Sequence, residues 1–184
     1  MSSPSADVSC RVAWSDDAPA IAALQLAARQ HDLAGVVPDA ALQVDPDVAA
    51  AAWQRTLTRP DDARVRVLVA LERNRVVGFA ITSPAGDPDT DQVADAELLE
   101  FTIDPRERGK GHGSRLLQAA VDTMAADRFT RSVTWLMASD DALRGFLESA
   151  GWAPDTAHRE LDLDGTGTTT VKQVRLHTTI AESA

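Results

Sequence analysis

The sequence predicts an α/β fold with a mixed sheet. Three observations carry that expectation: short runs of alternating or β-branched apolar residues, longer segments with apolar residues at helical spacing, and the order in which they follow one another. From the N-terminus that order is β-α-α-β-β-β-α-β-α-β-β, with helices interleaved among strands rather than segregated from them.

The first strand is expected at Val8 to Trp14. Ser15, Asp16 and Asp17 then offer capping oxygens for a helix with Ile21, Leu24 and Ala28 on one face. Pro38 to Pro46 interrupts the pattern, and a second helix from about Asp47 carries Ala49, Ala52, Trp53, Thr56 and Leu57 at helical spacing. After a turn at Pro60-Asp61-Asp62, a hairpin is expected. Val65, Val67, Val69 and Leu71 alternate strictly, the chain turns at Arg73-Asn74, and Val76 to Thr82 returns.

An acidic loop, Pro84 to Asp95, leads into a fourth strand over Ala96 to Ile103, which Asp104-Pro105 ends. The third helix sets Leu116, Leu117, Ala120, Val121 and Met124 on one stripe. A fifth strand, Ser132 to Ala138, interleaves Val133, Trp135 and Met137. Asp140 or Asp141 caps a short helix with Leu143, Phe146, Leu147 and Ala150 on its apolar face, stopped by Gly151. Strands at Arg159 to Leu163 and Val171 to His177, joined by Asp164-Gly165-Thr166-Gly167, close the chain. No repeat or composition shift marks a boundary, so one domain is expected over residues 7–177, with frayed tails at 1–6 and 178–184.

Composition excludes several classes of function. Among 184 residues, 18 Lys+Arg stand against 28 Asp+Glu, a net charge of −10. That argues against nucleic acid, which needs a basic face to displace phosphate counterions, and against anionic membranes. The single cysteine, Cys10, excludes an internal disulfide or a cysteine zinc site. No apolar run approaches the roughly 20 residues of a membrane span, and Met1 to Ser9 lacks a basic segment followed by an apolar one. A cytoplasmic protein is expected. His31, His112, His158 and His177 show no metal-binding spacing, so no metal is expected. Asp87-Pro88-Asp89-Thr90-Asp91 begins like a calcium loop, but Gln92 and Leu98 stand where that loop needs glycine and glutamate.

The chemistry is concentrated in Arg108-Gly109-Lys110-Gly111-His112-Gly113-Ser114, between a strand and an amphipathic helix. Alternate glycines let the backbone come close to a ligand, and the helix directs free N–H groups and its positive dipole end at the turn. Together they suit a pyrophosphate. The spacing matches neither the dinucleotide fingerprint nor the P-loop.

Arg108-x-x-Gly111-x-Gly113 resembles the signature of the GNAT superfamily of N-acetyltransferases. Glu97 to Pro105 resembles that family's strand before the turn, and Ala142 to Trp152 its helix ending in glycine and an aromatic residue. The resemblance implies a central, mostly antiparallel sheet flanked by helices and splayed between the fourth and fifth strands. It implies acetyl-CoA as cosubstrate, with Arg108, Gly109, Lys110, Gly111, His112, Gly113 and Ser114 holding the pyrophosphate through backbone groups. Phe101, Thr102 and Ile103 would line the pantetheine like an added strand, and Ser139 and Arg144 would complete the cosubstrate contacts. The reaction implied is direct attack of an amine, from a small molecule or a peptide, on the thioester.

Such an attack needs a proton acceptor. Glu97 stands eleven residues before Arg108, the spacing at which histone-acetylating relatives carry their base; Glu100 is the other candidate, on the opposite face of a regular strand. Either also reads as a solvent-facing carboxylate. Many members protonate the leaving thiolate with a tyrosine, but this chain has none and Leu147 holds the matching position. A non-catalytic acyl-CoA-binding protein is therefore the alternative to an acetyltransferase. The family admits a homodimer, and the acceptor amine has no motif of its own.

Overall fold

The computed structural model describes residues 8–163 and 165–180. Its elements are β1 (Val8–Val12), α1 (Ala18–Asp32), α2 (Pro46–Thr58), β2 (Arg66–Glu72), β3 (Arg75–Pro84), β4 (Asp95–Ile103), α3 (His112–Ala126), β5 (Arg131–Met137), α4 (Asp141–Ser149), β6 (Ala153–Asp162) and β7 (Thr170–Thr179). This is the order expected from the sequence. The strands form one seven-stranded sheet in the order β1-β2-β3-β4-β5-β7-β6. β1/β2, β2/β3, β5/β7 and β6/β7 pair antiparallel. β4 and β5 are parallel, and their register spans only Asp95↔Arg131, Ala96↔Ser132 and Glu97↔Val133. The chain clusters into two compact units, residues 1–82 with 100–123 and residues 83–99 with 124–184.

In the first unit α1 and α2 close over β2 and β3. Pro19 lies in the first turn of α1, where a missing N–H costs nothing, and Asp45 caps α2 by accepting from Asp47 N–H at 2.8 Å. Their apolar faces, Ala18, Ile21, Ala22 and Leu24 with Ala49 and Trp53, meet Val67, Val69, Leu71 and Phe79. The Trp53 and Phe79 rings pack edge to face, with centroids 5.1 Å apart. Strict alternation in β2 predicts one buried face, yet Leu68 and Ala70 are buried as well. A strand paired on both edges and covered on both faces buries its whole length. Arg73 and Asn74 turn the hairpin with φ of 48° and 68°, the two successive positive values of a type I′ turn.

In the second unit the chain passes from β5 through α4 to the outer strand β6 and returns along β7, which pairs with β5. β5 buries Ser132, Val133, Thr134 and Leu136, whereas Trp135 and Met137 are only half-buried. β6 starts at Ala153, well before the expected Arg159, because a register shift between Pro154 and His158, with Thr156 at φ 71°, hides the alternation. β7 runs past the expected end at His177. Thr178 and Thr179 pair with Ser132 and Arg131, and Ile180 is buried, so these three residues are not a frayed tail. The tail expected at 1–6 and its counterpart at 181–184 lie outside the described residues.

Candidate active site

The glycine turn belongs to the first unit. β4 ends at Ile103, Asp104 caps the following 3₁₀ turn, and α3 begins at His112. Gly109 and Gly111 have φ of 76° and 85°, so both positions demand glycine for the backbone alone. A Cβ on Gly109 would meet nothing within 4 Å, which leaves the space over the turn open. One on Gly111 would lie 3.1 Å from a guanidinium nitrogen of Arg115, a cation beside the turn that the motif does not include. The first N–H groups of α3 have no carbonyl within the helix to bond to, and they open toward this turn. An acetyl-CoA pyrophosphate fits that donor set.

Side chains around the turn are already engaged. Arg108 donates to both carboxylate oxygens of Asp32 at 2.8 and 2.7 Å and to the Ile103 carbonyl at 3.2 Å. Lys110 binds Glu107 at 2.6 Å, and Arg75 bridges Glu107 and Glu72 at 2.7 and 3.0 Å. The Lys110 ammonium, then the Arg75 guanidinium, holds the Glu107 carboxyl below its usual range. The His112 ring is 1% exposed, and neither of its nitrogens has a hydrogen-bond partner among the described residues. It lies within 4.8 Å of the Glu72 and Glu107 oxygens, but both carboxylates already carry cations. What the turn presents is therefore its backbone, at His112 as at the glycines.

Glu100 also lies in the first unit, just before Phe101, Thr102 and Ile103 on β4. Both of its oxygens accept from Gln25 Nε2, at 2.9 and 2.8 Å, and Gln25 Oε1 accepts from the Trp53 indole N–H at 3.0 Å. Burial pushes the Glu100 carboxyl up, opposed by the Gln25 hydrogen bonds and the charge of Arg29. Gly78 on β3 is needed here: a Cβ there would lie 2.9 Å from the Thr102 carbonyl and collide with Ile103 Cδ1. Neither Gln25 nor the role of Trp53 was visible in the motifs.

Glu97 belongs to the second unit, in a network of charges. Arg175, 4% exposed, donates to Asp87 at 2.9 Å, to Asp155 at 2.7 Å and to Asp89 at 2.7 and 2.5 Å. The Trp135 indole N–H reaches Asp87 at 2.9 Å, and the Arg159 guanidinium stacks 4.2 Å from that ring. Two of the three aspartates that resemble a calcium loop, Asp87 and Asp89, are thus drawn onto an arginine. Burial, then the negative charge of Asp87, pushes the Glu97 carboxyl up, against Arg159 and Arg175. Ser139 is exposed after β5, and Arg144 pairs with Glu148 at 3.0 Å along α4. Leu147, at the family's tyrosine position, is 1% exposed.

The model of the acetyltransferase (GNAT) family matches residues 22–152. Among solved structures, yncA from Salmonella typhimurium, a putative acetyltransferase with its cofactor acetyl-CoA, is 22% identical, with 96% of each chain covered and a TM-score of 0.69. The ribosomal-protein-alanine N-acetyltransferase from Brucella melitensis is 21% identical over 93% of this chain and 99% of that one, with a TM-score of 0.71. The paia N-acetyltransferase from Thermoplasma acidophilum, in complex with coenzyme A, is 14% identical over 97% and 99%, with a TM-score of 0.67. At these identities the likeness is one of fold. No curated protein matches the sequence. With the family match covering more than half of the sequence, and the glycine turn standing where strand passes into helix, the chain belongs to the acetyltransferase (GNAT) family.

Proposed function

We propose that this protein is an acetyl-CoA-dependent N-acetyltransferase, acting as one domain that runs to about residue 180, on a small-molecule or peptide amine. The observation that carries the reading is the turn before α3. Gly109 and Gly111 adopt conformations closed to other residues, the space over Gly109 is open, and the N–H groups of Arg108 to Ser114 lie at a helix N-terminus. They hold the pyrophosphate. The backbone of Phe101, Thr102 and Ile103 runs along the pantetheine, with Ser139 and Arg144 as further contacts.

In the reaction the amine nitrogen attacks the thioester carbonyl, its oxygen takes the charge against a backbone N–H, and the C–S bond breaks to release CoA thiolate. The amine proton passes to Glu97, directly or through one water. A carboxyl raised by burial is a better match to that task near neutral pH than an exposed one. The thiolate takes its proton from water, since no tyrosine is present.

Acetyl-CoA titration by calorimetry, set beside CoA release with a panel of amines, tests this reading. Binding together with amine-dependent release supports it. Binding without release for any amine points instead to a non-catalytic acyl-CoA-binding protein, and absence of binding removes the cosubstrate site.

A further inference from the structure

We propose that Gln25 and Trp53 are positioning residues that hold the Glu100 carboxylate in one orientation, so that Glu100 receives the N–H groups of a cationic group of the acceptor other than the nitrogen that is acetylated. The inference rests on the acetyltransferase reading and deepens it by naming the acceptor's contact.

An indole N–H only donates, so Gln25 Oε1 is the atom that faces Trp53, at 3.0 Å. That fixes which end of the amide carries the hydrogens, a choice otherwise left open by the near-identity of its two ends. Nε2 must then point at Glu100, and it reaches both oxygens, at 2.9 and 2.8 Å. Trp53 needs no help from Gln25 to stay in place. It is 6% exposed and packed edge-on against Phe79 in the core under α1 and α2. Orientation therefore passes from the core to Trp53, to Gln25, to Glu100.

Among the described residues, Gln25 is the one hydrogen-bond donor to the carboxylate at the end of this chain. An ionised carboxylate offers about four lone-pair sites, and one amide nitrogen engages at most two of them. Glu100 is half-buried, and the charge opposed to its own is that of Arg29 on α1. A half-buried anion with spare acceptor sites gains from a cationic donor, which is what a protonated amine supplies. A protonated Glu100 is a poor fit, because both of its oxygens face an N–H donor and the nearby Gln25 carbonyl is taken by Trp53. Glu100 directly precedes Phe101 to Ile103, the stretch proposed to line the pantetheine, so a group docked there enters at the same strand. The chain's net charge of −10 favours a cationic acceptor in the same sense.

The test is a steady-state comparison on the full chain, with the best amine of the panel that carries a second cationic group and saturating acetyl-CoA. Gln25→Leu removes the amide at similar size; the amine KM should rise about tenfold to a hundredfold, the loss of a hydrogen bond to a charged group, while kcat and acetyl-CoA affinity change little. Trp53→Phe keeps a ring in the core but frees the amide to flip, and should raise the same KM by a smaller factor. Gln25→Glu sets a second carboxylate against Glu100, which makes Glu100 harder to ionise, so the amine KM should begin to climb at higher pH on acidification than in the parent. Unchanged amine KM and unchanged pH dependence in folded Gln25→Leu and Gln25→Glu would overturn the proposal. If Gln25→Leu does not fold, Gln25→Glu and Trp53→Phe decide on the same readouts. A parent protein that releases no CoA with any amine defeats the acetyltransferase reading itself and this inference with it; an active parent with unmoved variants defeats this inference alone.

Discussion

Replacing Gly111 with alanine separates the demand of the backbone from the demand of the ligand. At φ 85° an L residue is strained by roughly 1–2 kcal/mol, and the nearest neighbour of the new methyl among the described residues is the guanidinium end of Arg115, at 3.1 Å. Gly109→Ala carries similar strain at φ 76° with no neighbour within 4 Å. Domains of this kind hold about 5–15 kcal/mol, so both variants should fold, with melting lowered by about 2–8 °C. Binding should suffer more. Each methyl occupies the open side of a turn whose N–H groups are to hold a pyrophosphate, and losing one charge-assisted hydrogen bond costs about 1.5–3 kcal/mol, or roughly tenfold to a hundredfold in affinity. Gly145→Ala is the control: Gly145 lies in α4 with ordinary φ and open space, so the change should leave acetyl-CoA affinity alone and stabilise the helix slightly. Calorimetric titration and thermal unfolding on the four proteins give both numbers. A folded Gly111→Ala or Gly109→Ala that binds acetyl-CoA as the parent does would refute the assignment of the pyrophosphate to this turn.

Three other outcomes follow from the same structure. Glu97→Gln should lower turnover by about 10²- to 10⁴-fold, with the deficit smallest at high pH, where the amine is already neutral, and acetyl-CoA binding intact. Leu147→Tyr should destabilise by about 1–3 kcal/mol without raising turnover, because the position is 1% exposed core rather than a site for a phenol; melting and steady-state rates check this. Asp89 is held at about 2 by Arg175, below the carboxyl's unfolded value. Its contribution to stability is therefore complete above that unfolded value and lost as pH falls toward 2. Acid titration followed by Trp135 fluorescence, whose indole shares Asp87 with Arg175, should show a step in that window that Asp89→Asn removes.

Periodicity made the helices legible. The stripe Leu116, Leu117, Ala120 and Met124 is buried in α3, and Ile21, Leu24 and Ala28 are buried in α1. Alternation was a weaker guide to burial. Val67, Val69 and Leu71 alternate, but Leu68 and Ala70 are buried beside them because β2 is covered on both faces. The start of β6 escaped because a register shift and a positive φ at Thr156 erase the two-residue period. Within the site, the glycine turn could be read from the sequence because its residues are contiguous and backbone geometry dictates them.

The partners of the carboxylates could not be read in that way. Gln25 meets Glu100 across 75 residues and Trp53 across 28, and Arg175 meets Asp87 across 88. No local pattern links residues so far apart. The same distance in sequence explains how Asp87, Asp89 and Asp91 resemble the start of a cation loop when two of them serve a buried arginine.

The central claim is direct transfer of acetyl from CoA to an amine, and mass spectrometry with deuterated acetyl-CoA tests it most directly. Burial pushes the Cys10 thiol up, so the one cysteine is a poor nucleophile and no acetyl group should rest on the protein. Label is expected in the acceptor amine, with released CoA in equal amount and an unlabelled protein mass at every time point. Label on the protein before it appears in the amine, or acetyl-CoA bound and unconsumed with every amine offered, would contradict it.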